Sequence, residues 1–243
     1  MPASDRSYPS VWLRPPREQR SALTRDRIVA EALRILDEEG AEALSMRKLA
    51  AALGVGTTSL YWHVANRDEL IELVVNEINA EVEVPAAGEV PDWREATRRY
   101  ARSVRSGIVR HRWVVSELAH LVAAVPGPNL TRTTERMLAV FEAAGFPLPE
   151  AESALNTVSA YVAGIALSEA ALRGMLARHG QSPQDWLDEM MRASEDVTEG
   201  HERLRTLTDG YAGLDPEQAM DDDFEYGLER VLDGLQARLV AST

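Results

Sequence analysis

Cysteine is absent from all 243 positions, and lysine occurs once, at Lys48. Without thiols there is no disulfide scaffold, no thiol catalysis and no cysteine-held zinc or iron–sulfur centre. Aromatic residues are sparse at 6% of the chain. No apolar run reads as a membrane span, and the first residues lack the apolar stretch of a secretion signal. The glycine-rich phosphate loop, the HExxH pair and the Ser-His-Asp elbow are all missing. The five histidines, His63, His111, His120, His179 and His201, show no metal-ligand spacing. The expectation is a cytoplasmic, non-enzymatic protein with no metal and no cofactor.

What is present is a globular composition, with 45% hydrophobic and 27% charged residues. The net charge is −13, which taken as a whole argues against a polyanionic partner. Its distribution argues the other way. Residues 1–67 carry ten basic and eight acidic side chains, whereas the remainder carries sixteen and thirty-one. A mildly basic end on an acidic body is able to meet phosphates while the body keeps the protein in solution.

The chain reads as all-α, without a strand or an internal repeat. Prolines 2, 9, 15 and 16 forbid regular helix at the start, so residues 1–22 form an arm carrying Arg6, Arg14, Arg17 and Arg20. Thr24 is a good helix cap, followed by Ile28, Ala32, Ile35 and Leu36 at helical spacing up to Gly40. Ser45 caps a second, short helix that Gly54 stops. Thr57 is placed to cap a third over 58–63, and Asn66 a fourth through Ile78. Pro85, Gly88 and Pro91 mark a break in the chain. Helices follow over roughly 93–108, 113–124, 130–144 and 149–176. Residues 177–219 are rich in Gly, Pro, Asp and Ser, with weak amphipathic pieces near Trp186 and Leu204. A last helix over 221–240 begins with Asp221, Asp222 and Asp223, which suit its dipole. Phe224, Leu228, Val231, Leu232, Leu235 and Leu239 form one stripe there. That stripe, and the small residues Ala154, Ala160, Gly164 and Ala170, predict packing across a two-fold axis. Residues 23–70 are read as a first domain and 71–243 as a helical body.

Residues 45–63, SMRKLAAALGVGTTSLYWH, join two short helices through a glycine turn, the helix-turn-helix pattern. Leu49, Ala50, Val55 and Leu60 are suited to burial. Thr57, Thr58, Ser59, Tyr61, Trp62 and His63 then face outward. Two ordinary amphipathic helices would give the same glycine-broken pattern. Hydroxyls, aromatics and an imidazole are nevertheless the groups that touch phosphates and base edges in a major groove.

The string MRKLAAALGVGTTSLYWHVANRDEL resembles the DNA-binding domain of the TetR family of regulators, over about residues 24–75. The resemblance implies three N-terminal helices for DNA and a helical body whose last two long helices pair in a dimer. It implies DNA contacts at Arg47, Thr57, Thr58, Ser59, Tyr61, Trp62, His63 and Arg67. Ser10-Val11-Trp12-Leu13-Arg14 is similar to the extended arm of an efflux repressor in that family. This likeness implies that Arg14, Arg17 and Arg20 enter a minor groove, a site that attracts arginine when narrow.

Bodies of this family bind a small molecule that lowers DNA affinity. The tetracycline-sensing members hold a drug-bound magnesium ion through histidines. At the matching positions this chain has Glu83 and Leu118, with His120 two residues on. A metal-free, largely apolar, antibiotic-like inducer is therefore expected. Trp93, Tyr100, Trp113, Phe141 and Tyr161, with Glu117 and Asn156 as polar partners, are the candidate pocket residues. The reading is a homodimeric repressor released from a palindromic operator, with an efflux gene as one candidate target. The rivals are a same-fold activator, or an all-α binding or catalytic protein that has lost its DNA.

Overall fold

The computed structural model describes residues 23–86, 88–89, 92–123 and 125–241. The arm, with Arg14, Arg17 and Arg20, lies outside the described residues. Among the described residues there are eleven α-helices, one short 3-10 turn and no strand.

The first four helices form a head. α1 (Arg25–Glu39) starts on Thr24, whose side chain accepts the Arg27 amide. After the 3-10 turn Ala41–Ala43, Ser45 caps α2 (Met46–Leu53) by accepting the Lys48 amide. Gly54 ends α2 in the left-handed region at φ 67°, and the next amide, of Val55, reaches back to the Ala50 carbonyl at 3.0 Å. A side chain at position 54 would strain that turn, so glycine is the residue that closes it. α3 spans Thr57–Tyr61. Here the expectation fails in detail: Gly56 is the cap position and Thr57 is already helical, which places all three hydroxyls inside the helix. Asn66 caps α4 (Arg67–Ala80) by accepting the Glu69 amide, and the Glu69 carboxylate returns to the Ala65 amide at 2.6 Å. Ile28, Ile35, Leu49, Leu60, Leu70 and Ile71 are wholly buried where these helices cross.

The body follows. α5 (Trp93–Arg110) is capped by Asp92 and ends at His111; α6 spans Val114–Ala123 and α7 spans Pro128–Ala143. Gly127, ahead of α7, has no side chain to cap it. Asn76 of α4 substitutes, its Oδ1 accepting the Asn129 amide at 2.8 Å, while the Asn129 carboxamide donates to the Asn76 carbonyl at 2.7 Å. A Cβ on residue 127 would collide with the Asn76 side chain. α8 (Leu148–His179) is the central helix and packs mainly on α5, with α7 and α11 beside it. It is also long and apolar enough, by length and composition alone, to cross a bilayer, which no run of the sequence was expected to be. Ala151, Ala154, Val158, Val162 and Ala166 are buried in the body core, the ordinary situation of an apolar central helix.

In residues 177–219 the weak amphipathic pieces near Trp186 and Leu204 are full helices. α8 runs on to Gly180, Ser182 caps α9 (Pro183–Val197), and α10 spans Glu202–Gly210. A serine followed by proline at the first helical position is a start signal in its own right. α11 (Pro216–Ala241) begins five residues before Asp221, so the three aspartates lie inside the helix rather than at its dipole end. Its apolar stripe is also differently employed. Phe224, Leu228 and Leu232 are fully buried against this chain's own α5 and α8 core, and so are not the surface that a second copy would cover.

A row of ion pairs binds α5 to α11. Arg94 reaches Glu229 and Asp233, both at 2.8 Å, and Arg98 takes Glu229 at 2.5 Å. Arg102 takes Glu225 at 2.7 Å, and Arg105 takes Asp221 of α11 and Glu169 of α8 at 2.7 Å each. The hydrogen bond from Arg98 holds the Glu229 carboxyl down at about 2, with Arg94 adding to it against the cost of partial burial. Burial pushes the Tyr100 phenol up, against the opposing hydrogen bond from Ser159.

Candidate nucleic-acid interface and its joint to the body

α3 is only five residues long, yet it exposes nearly all of its side chains. Leu60 alone is anchored, at 0% exposure, in the head core. Thr58 and Ser59 are exposed and Thr57 half-buried. Tyr61 is 51% and Trp62 84% exposed, a large apolar area to leave in water. Trp62 therefore contributes little to packing in the free protein. His63 is half-buried beside it, and its carbonyl accepts Arg25 Nη2 at 3.4 Å. Arg47, in the first turn of α2, is exposed as well. The glycine turn at 54–56 joins α2 to α3, and the outer face of this segment carries Arg47, three hydroxyls, two aromatics and an imidazole, all exposed or half-buried. Such a face offers hydrogen bonds to phosphates and base edges together with flat apolar surface for thymine methyls.

Arg67 does not belong to that face. Its guanidinium is turned towards the body, where Nη2 donates to Glu117 Oε1 at 2.6 Å and to the Ala41 carbonyl at 3.2 Å. The hydrogen bond to Glu117 raises its pKa above the ordinary guanidinium value, desolvation opposing. Two expected pocket residues move with it. Glu117 is the body's partner for Arg67, and Trp113 is buried in the head core with Ile35, Leu36 and Leu49. The Trp113 indole N–H donates to Asp37 of α1 at 2.9 Å. The start of α6 is thus plugged into the head. Sequence reasoning missed this because a tryptophan is equally at home in a pocket and in a core.

The other pocket candidates divide. Trp93, Phe141 and Phe146 form a three-ring cluster with centroids 5.5–5.7 Å apart. Phe146 was not among the expected residues. Tyr100 is buried and its hydroxyl shares a 3.1 Å hydrogen bond with Ser159. Tyr161 stacks on Phe224 at 5.9 Å and donates to the Phe224 carbonyl at 2.9 Å; a Cβ on Gly227 would strike its ring. Asn156 is exposed on α8. Leu118 and Glu83 are both exposed, and the side chain of His120 lies outside the described residues. No group of three or more potential metal ligands occurs among the described residues.

A short, outward-facing helix-turn-helix clasped to a large helical body defines a DNA-binding regulator with a separate sensing domain. A family model described as bacterial regulatory proteins, tetR family, matches residues 28–74, and one described as tetracyclin repressor-like, C-terminal domain, matches residues 84–239. The chain belongs to the TetR family of transcriptional regulators, and it is a regulator rather than an enzyme. It is 32% identical to the HTH-type transcriptional repressor DrrR1 of Streptomyces coeruleorubidus, over 92% of this chain and 81% of that protein. The structure of the Streptomyces coelicolor TetR family protein ActR in complex with actinorhodin matches with a TM-score of 0.72 and 34% identity, over 90% of this chain and all but 1% of that one. BioQ with its double-stranded DNA operator matches at a TM-score of 0.55 and 30% identity, over 65% of this chain and 93% of that chain.

Proposed function

We propose that the protein is a homodimeric, cytoplasmic repressor that leaves a palindromic operator when its body binds an aromatic, antibiotic-like molecule. The observation that carries this is the exposed α2–α3 face on a head that Arg67–Glu117 and Trp113 tie to the body. Arg47 and the hydroxyls of Thr57, Thr58 and Ser59 are assigned to base edges. Tyr61 and His63 are assigned to phosphates, and the exposed indole of Trp62 to groove contact. BioQ, similar over 65% of this chain, was solved on its operator, which supports this assignment. Arg14, Arg17 and Arg20 add minor-groove contacts.

Trp93, Tyr100, Phe141 and Tyr161 are the body's aromatic groups for the inducer. ActR, alike over nine-tenths of this chain, was solved with actinorhodin, which supports an antibiotic-like ligand. Exposed Ala160, Gly164 and Ser168, one turn apart on α8, provide a close-packing face for a second copy. A two-fold pair sets half-sites about 34 Å apart or a multiple of that. The ligand acts by binding the DNA-incompetent arrangement of the two heads more tightly than the competent one. A divergently transcribed efflux gene is the target this reading favours.

The test is selection of duplexes from a random pool by the pure protein, followed by titration of the bound duplex with actinorhodin, with and without EDTA. The reading expects enrichment of a near-palindrome and release that EDTA leaves unchanged. Failure to enrich any sequence removes the DNA-binding function; release that needs magnesium removes the metal-free inducer.

A further inference from the structure

His111 sits at the corner between α5 and α6, and its residue is 3% exposed. Its backbone is fully used, the amide donating to the Gly107 carbonyl at 2.9 Å and the carbonyl accepting the Val114 amide at 3.0 Å. Its ring faces two carboxylates from two other elements. Nδ1 is 2.8 Å from Asp37 Oδ1, on α1 of the head. Nε2 is 3.5 Å from Glu81 Oε2, at the end of α4. Asp37 also accepts the Trp113 indole N–H, so it acts as an acceptor and the Nδ1 proton points at it. In the neutral imidazole Nε2 then carries only a lone pair. It is aimed at another acceptor, and it is the one buried side-chain nitrogen or oxygen among the described residues without a hydrogen-bond partner. An unpartnered buried polar atom costs free energy and calls for a reason.

We propose that His111 is a proton-operated clasp between head and body, in which proton uptake at Nε2 turns its approach to Glu81 into a charge-assisted hydrogen bond and joins α1, the end of α4 and the α5–α6 corner. At 3.5 Å the pair is too far apart for a strong bond, and closing by a few tenths of an ångström makes one. The imidazolium donates in both directions, to Asp37 and to Glu81. Other charges bear on the same corner. Arg110 of α5 already holds Glu81 Oε2 at 2.6 Å, and Arg112 in the following turn and Arg178 of α8 line the cleft of about 720 Å3 beside Asp37. α4 is the helix that follows the DNA-reading α3, so a clasp at its far end stiffens the presentation of the head. Two stiffly held heads lose less conformational freedom on meeting an operator, and operator affinity rises with proton uptake. This last step rests on the DNA-binding reading above.

The experiment compares wild type, His111→Gln and Glu81→Gln at pH 6 and pH 8 and at constant salt, across the range in which histidines change charge. Lower pH reduces the protein's negative charge and tightens DNA binding in general. His111→Gln keeps a donor for Asp37, takes no proton, and so measures that background. The duplex is the one selected from the random pool. Wild type is expected to gain about 5-fold or more in affinity from pH 8 to pH 6 beyond the gain of His111→Gln, and Glu81→Gln to lose most of that excess. Parallel pH profiles for wild type and His111→Gln overturn the clasp. Hydrogen exchange without DNA gives an independent readout at residues 37–44 and 78–86. Wild type should be more protected than Glu81→Gln at pH 6, with the gap closing at pH 8; an equal gap at both pH values overturns the proposal. Glu81 is partly exposed, so this variant keeps the test available if His111→Gln does not fold. A proton-dependent gap in a protein that selects no DNA sequence would sustain the clasp and sink only the DNA-binding reading.

Discussion

In the head, α1, α2 and α4 each begin on a residue whose own side chain caps the helix, and the reciprocal bonds span four residues at most. In the body, the start of α7 is capped by Asn76, 53 positions away, and α5 is held to α11 by arginine–carboxylate pairs more than 100 positions apart. The head starts from local signals around an apolar core that Trp113 completes, whereas the body, in which α5 and α9 also cap themselves, adds ion pairs and a cap that only folding brings together. The reading face needs a head that is rigid in itself, and regulation needs a joint with few and adjustable contacts. Arg67–Glu117, Asp37–Trp113 and Asp37–His111 supply such a joint.

The largest expected effect breaks the body alone. Leu228→Glu places a carboxylate at a wholly buried site on α11. It should cost more than about 4 kcal/mol and unfold the body, because a buried unpaired charge is among the most destabilising of changes. Calorimetry together with sedimentation checks this; a folded monomer would instead mean that Leu228 belongs to a dimer surface. Next comes Trp113→Ala. Although it lies at the start of the body in sequence, it should destabilise the head by about 3–5 kcal/mol, as removal of a buried tryptophan does. Head-specific hydrogen exchange at residues 28–36 reports it, and unchanged protection there would break the assignment of Trp113 to the head.

A contrast between two arginines sharpens the comparison. Arg47→Ala should cost about 1–3 kcal/mol of operator binding and relax base preference, with the melting temperature unchanged. Arg67→Ala should lower the melting temperature and weaken the link between inducer and DNA while leaving base preference intact. The reverse pattern in a binding-site selection would return Arg67 to the DNA face. The smallest effect concerns Glu229→Gln. A carboxyl held below its ordinary range adds stability above that range and loses it as pH falls through the lowered value. Wild type should therefore exceed the variant by about 1–2 kcal/mol near neutrality after solvent screening. That difference should shrink as pH falls from about 4.5 towards about 2. A difference independent of pH would show that the α5–α11 row stabilises by packing alone.

The all-α class, the head's caps and the α2–α3 turn were legible in the residues, because Thr24, Ser45, Gly54 and Asn66 act on their immediate neighbours and burial follows a helical period. The family resemblance rests on the same local string. Only the tertiary structure decided which partner each long-range group found. Arg67 follows a cap residue and reads like any exposed cation near a recognition helix, yet Glu117, fifty positions on, turns it inward. Trp113 and Tyr100 look alike as pocket aromatics, and packing sent one to the head and left the other in the body. The α11 stripe reads as an unsatisfied face, but whether a second copy or the chain's own α5 and α8 covers it depends on how helices cross in space. Periodicity states that a face must be buried and is silent on what buries it. The place of His111 between two carboxylates follows from the meeting of α1, the end of α4 and the α5–α6 corner, three elements that approach one another only in the folded chain.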